Sequence, residues 1–83
     1  MEPLVAEDGN AVLFTIEASG RSVTAMISRA ALEQHFWLRS DADANRMLRT
    51  FADGRHRIVA VAERLALRSG AAEVQLDSAD FRR

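Results

Sequence analysis

Few residues in this sequence have types and spacing that could do covalent chemistry. There are two histidines, His35 and His56, and no cysteine. A metal centre needs three or four converging ligands. Glu33 stands two positions before His35, whereas offsets of three or four would put two ligands on one helix face. Both histidines are therefore read as structural or surface residues. No serine lies in a strand–turn–helix elbow of the GxSxG kind, and without cysteine there is no thiolate nucleophile. Ser28 and Ser40 are better explained as helix N-caps, and Asp41 and Asp43 as first-turn acids facing a helix dipole. The residues assign no catalytic, cofactor-binding or metal-binding position, and the expectation is a protein that is not an enzyme.

What remains is the chemistry of docking, carried by arginine and tryptophan. All 11 basic residues are arginine. Residues 1–20 hold four acids and no base, residues 21–68 hold nine arginines against five acids, and residues 69–83 hold three acids and two arginines. On one helix over 41–68, Arg46, Arg49, Arg57, Arg64 and Arg68 share a side with Asp53, while Phe51, Ile58 and Ala62 turn about 120–160° away. Asp53 has Arg49 and Arg57 four positions to either side, the spacing of weak helical ion pairs. A solvated face explains such a ridge. Its functional alternative is docking of an acidic partner: a protein, a nucleic-acid backbone, or this chain's own acidic N-terminal segment. If a helix instead began at Asp53, Arg55-His56-Arg57 would set cations at its N-terminus, which favours an anion there. Phe36-Trp37-Leu38 places three large apolar residues in a row, and a helix end cannot turn all three inward. Trp37 is the one expected to be partly exposed, either as a lid over the core at the junction of the two helices or as an interface anchor of the kind aromatic residues supply.

The elements that position these residues follow from periodicity. Residues 1–10 form a polar lead-in closed by the turn signal Asp8-Gly9-Asn10. Val12, Phe14 and Ile16, then Val23, Ala25 and Ile27, alternate with polar or outward positions on either side of Ser19-Gly20. That predicts a β-hairpin over 11–27 with those six residues facing inward. Ser28 caps a short helix over 29–36, with Ile27 and Leu32 at the positions of a hydrophobic staple. Ser40, with Asp43 three residues on, caps the next. Ala44, Met47, Leu48 and Phe51, then Ile58, Val61, Ala62 and Leu65, repeat at offsets of 0, 3, 4 and 7, and the two sets stay in phase. This favours a single helix over 41–68, bent or weakened at Gly54, over two helices broken there. A straight helix of that length would reach about 42 Å and overhang a compact domain, unless Gly54 bends it or a second copy covers it. Residues 73–77 read as a short strand, and Ser78–Phe81 as a turn that pins Phe81 to the core. The fold class is α+β with two layers: a small antiparallel sheet, made of the hairpin and the C-terminal strand, packed on a short helix and a long amphipathic one.

The chain is 83 residues and 9.2 kDa, enough for one domain. It is 48% apolar and 28% charged with a net charge of -1, so the composition excludes collagen, a low-complexity rod and a general polyanion binder. A domain this small buries only about 60% of its unfolded surface. With no cysteine to staple it, a homodimer is the expected support. The longest purely apolar run, Ile58–Ala62, is far short of a membrane span. The acidic start with Pro3 does not read as a signal peptide, so the cytoplasm is the expected location.

The strand Ala11–Ile16, the glycine turn, Val23–Ser28 leading into Ala31-Leu32, and then Arg49-Thr50-Phe51, Arg57-Ile58 and Ala62 together resemble a family of short bacterial proteins known as a domain of unknown function, DUF1488. The likeness runs over residues 11–68. It implies a small α+β bacterial protein without an assigned activity, and it brings no catalytic residues. The sequence thus points to an interaction or regulatory module that acts through protein–protein contacts, as a homodimer or with another protein. Polyanion or nucleic-acid binding along the arginine ridge is the alternative, and no membrane is involved.

Overall fold

The computed structural model describes residues 3–82. In chain order the elements are β1 (Leu4–Val5), β2 (Ala11–Ala18), β3 (Arg21–Ser28), α1 (Arg29–His35), α2 (Ala44–Asp53), α3 (Arg55–Ser69), β4 (Glu73–Leu76) and a 3-10 turn (Ser78–Phe81). The sheet order is β1-β2-β3-β4, and the helices cover one face, so the fold is a two-layer α+β domain.

The hairpin forms where alternation placed it. Its register runs from Ala18↔Arg21 to Ala11↔Ser28, and Ser19 and Gly20 both adopt positive φ (53° and 75°). Two positive φ values in a two-residue loop make the turn whose twist matches that of the strands. All six residues expected to face inward are buried.

Two features of the sheet differ from the sequence reading. The lead-in is not merely polar: Leu4 and Val5 pair with Leu13 and Val12 as a fourth strand, too short to show any period. And β4 is parallel to β3, so the sheet is mixed and not all antiparallel. The direction follows from the crossover. The three helices carry the chain back to the starting end of β3, and Gly70, at φ 68°, turns it into β4.

Ser28 caps α1 as read, its hydroxyl accepting from the Ala31 amide at 3.1 Å. Ser40 does not cap α2. Asp43 does, accepting from the Arg46 amide at 2.9 Å, and α2 starts at Ala44. The reason is Arg29. Its guanidinium donates to the carbonyls of Ser40 (3.0 Å) and Ala42 (2.7 Å), to the Gly9 carbonyl (3.3 Å) and to Glu33 (3.1 Å). That fork holds residues 37–43 as a loop and ties it to the Asp8–Asn10 turn. A lysine has one point charge and cannot repeat the fork. Arg29→Lys is therefore expected to lower stability by about 1 kcal/mol, read from the midpoint of denaturant unfolding.

The single helix over 41–68 is replaced by two, interrupted at Gly54 (φ -101°, ψ 11°). A Cβ at Gly54 would lie 2.5 and 2.6 Å from two carbons of the Phe36 ring. The ring occupies the space that a side chain would need, so glycine is the residue that fits at the break. No helix overhangs: the molecule measures 36 × 29 × 20 Å with a radius of gyration of 11.9 Å. The overhang thus gives no reason for a dimer. The apolar stripe largely survives the break. Met47, Phe51, Ile58 and Ala62 are buried, Leu48, Val61 and Leu65 half-buried, and only Ala44 is exposed. Phe14 of the sheet meets Phe51 at a ring-centroid distance of 4.8 Å. Among the described residues, no helix is long and apolar enough to cross a membrane.

Candidate functional site

Phe36, Trp37 and Leu38 end α1, and the backbone sorts their side chains. Trp37 takes positive φ, 63°. This lets the Leu32 carbonyl accept from both the Phe36 amide (3.0 Å) and the Leu38 amide (3.1 Å). Leu38 goes into the core, Phe36 half-buries against Gly54, and Trp37 is thrown outward, 89% exposed. Glycine or asparagine normally fills such a left-handed helix end, and a bulky residue there is strained by about 1–2 kcal/mol. Trp37→Gly is expected to stabilise the isolated fold by about 1 kcal/mol, seen as a raised melting temperature by circular dichroism.

The arginines expected on one ridge stand on two helices. Arg46 and Arg49 are exposed on α2; Arg57, Arg64 and Arg68 are exposed on α3. Arg46 lies in a shallow depression with Arg39, Asp41 and Asp43, away from the α3 set. Asp53 pairs with neither Arg49 nor Arg57. Among the described residues the ion pairs are Arg29–Glu33 and Arg39–Asp41. Arg57 turns instead over two aromatic rings, its guanidinium carbon 5.2 Å from the Phe36 centroid and 5.5 Å from that of Phe81. Those rings meet edge to face at 5.4 Å. The break therefore ends the continuous ridge, and a cleft of about 490 Å³ between α3 and the 3-10 turn instead brings Arg57 and Arg64 together with Arg82. Arg82 was not singled out in the sequence. The available signal was its place directly after Phe81, the residue expected to anchor the C-terminal turn.

The remaining polar cluster joins α1 to the 3-10 turn. His35 Nε2 lies 3.0 Å from the Ser78 carbonyl, so that nitrogen carries the proton and donates. It cannot then accept the Ser78 hydroxyl proton, although Oγ is 3.3 Å away. The hydroxyl donates to Gln34 Oε1 instead. Asp77 accepts from the Ser78 amide (2.9 Å) and the Ser28 hydroxyl (3.3 Å), and Asp80 accepts from the Asp77 amide (2.7 Å). Serine, histidine and aspartate are adjacent here, but each bond serves to fasten the turn. His56 is exposed on α3. Among the described residues no three histidine, aspartate or glutamate side chains converge as metal ligands.

The chain matches no curated protein and no solved structure. A family model does match, over residues 2–76, which spans the whole sheet, all three helices, Trp37 and both α3 arginines of the cleft. The chain therefore belongs to the family described as protein of unknown function (DUF1488).

Proposed function

We propose that this is a non-enzymatic interaction module of the bacterial cytoplasm, which acts through protein–protein contacts centred on Trp37 and assembles first as a homodimer. The observation that carries the reading is the 89% exposure of Trp37 at a strained backbone position. A bulky exposed residue in a conformation suited to glycine destabilises the isolated chain, and strain of that kind collects at sites of function. An exposed tryptophan is also the side chain most often found at the energetic centre of a contact. A non-catalytic role is supported by the polar side chains near Ser78, each of which is used in a structural hydrogen bond. The polyanion reading has less support, because its five arginines do not form one strip.

Trp37 is the sole tryptophan, so its emission reports on its own burial. Dimerisation through it should shift the emission to the blue as concentration rises, in step with the sedimentation coefficient. Trp37→Ala should sediment as a monomer while keeping its circular dichroism. Unchanged emission and a monomer at millimolar concentration would remove the dimer.

A further inference from the structure

We propose that the cleft between α3 and the 3-10 turn docks an acidic peptide segment of a protein partner, one with carboxylates at positions i and i+3 and an aliphatic side chain between them. This rests on the interaction-module reading and names the kind of partner the surface takes.

Three guanidinium groups line the cleft, those of Arg57, Arg64 and Arg82. None has a carboxylate within ion-pair distance among the described residues. Arg57 is already fixed, stacked on Phe36 and Phe81 and donating weakly to the Phe81 carbonyl at 3.4 Å. A fixed fork loses little freedom when a carboxylate arrives. The one acid in the lining, Asp80, is engaged: its carboxylate accepts from the Asp77 amide as half of a capping box. The lining therefore holds three guanidinium groups against that one carboxylate, a surface that stays net cationic. The apolar part of its lining comes from Ala60, Val61 and Phe81.

Spacing selects the ligand. Arg57 and Arg64 are two helical turns apart, about 10.5 Å along α3. A disordered segment in the polyproline II conformation repeats its side-chain direction every three residues, about 9 Å. Carboxylates at i and i+3 then reach one arginine each, and an aliphatic side chain at one of the two positions between them rests on Val61. A nucleic acid fits less well. Binding of single strands relies on free aromatic faces for base stacking, and the Phe81 ring is buried beneath Arg57. The sheet layer also carries Glu7, Asp8, Glu17 and Glu73 against Arg21 alone, which repels a long polyanion but not a short peptide.

The test is fluorescence anisotropy of the full chain with a fluorescein-labelled hexapeptide, Ser-Glu-Leu-Ala-Glu-Ser, at low salt. Saturable binding is expected, weakening as salt rises. Glutamine in place of both glutamates should abolish it. Arg64→Glu and Arg82→Glu should each weaken it tenfold or more with an unchanged melt, since neither side chain makes an ion pair among the described residues. Absence of peptide binding, indifference to both charge reversals, or tighter binding of a single-stranded oligonucleotide of equal charge would each overturn the proposal. If the peptide fails while Trp37 still becomes buried with rising concentration, only the assignment of the cleft falls. If neither occurs, the module reading falls with it.

Discussion

Phe51→Ala is expected to remove about 3–5 kcal/mol of stability. Phe51 has no solvent exposure, its ring lies against Phe14 at 4.8 Å, and the Arg55 guanidinium carbon sits 5.8 Å above it. The ring is fully enclosed between the sheet and the helical layer, so its removal leaves a cavity that a methyl group does not fill. A domain of this size is stable by about 4–12 kcal/mol in all. The variant should therefore be marginal at 37 °C. Leu67→Ala, on the same helical layer but 61% exposed, should change stability by less than about 0.5 kcal/mol. The comparison is made by urea unfolding followed by circular dichroism. Tryptophan emission is a poor probe here, because Trp37 is already in water before the chain unfolds. Equal midpoints for the two variants would mean that the helical layer does not hold the sheet through Phe51.

The contrast between these positions shows which parts of the fold were legible in the sequence. Phe51 and Ile58 could be placed in the core from phase alone, because each helix keeps its apolar side toward the sheet whether or not the two are continuous. The hairpin was legible because alternation and Ser19-Gly20 are both local signals. The direction of β4 was not, since Val74 and Leu76 alternate identically in a parallel or an antiparallel strand. Only the path of the crossover decides between them. Asp43 won the cap from Ser40 through the fork of Arg29, eleven residues before Ser40, which no local rule contains. The candidate site divides in the same way. That Trp37 would be the most outward of three bulky residues followed from their competition for one inward direction, but its near-complete exposure, in place of a lid over the core, came from the positive φ that turns it away. The cleft did not follow, because Arg57 and Arg82 meet only through the packing of Phe36 and Phe81, and the helix wheel placed Arg57 on a ridge that Gly54 interrupts.

Gly54 is the position where local preference and tertiary packing oppose each other most directly, and Gly54→Ala measures which wins. Helix propensity alone gives the substitution a gain of about 1 kcal/mol. The added Cβ, however, would stand 2.5 Å from the Phe36 ring. That ring is not free to swing inward, since it meets Phe81 edge to face and carries Arg57 above it. Overpacking of this kind costs about 1–3 kcal/mol. Set against the propensity gain, the clash leaves the variant less stable by up to about 2 kcal/mol net. The sign should reverse once the ring is gone. In a Phe36→Ala background, Gly54→Ala should stabilise by up to about 1 kcal/mol and raise the helical signal as α2 and α3 join. The coupling between the two changes should then equal the overpacking cost, about 1–3 kcal/mol, well above the few tenths seen between independent sites. A Gly54→Ala variant more stable than the parent would show that Phe36 yields readily. The cleft between α3 and the 3-10 turn, which depends on Arg57 lying over that ring, would then lose its fixed guanidinium.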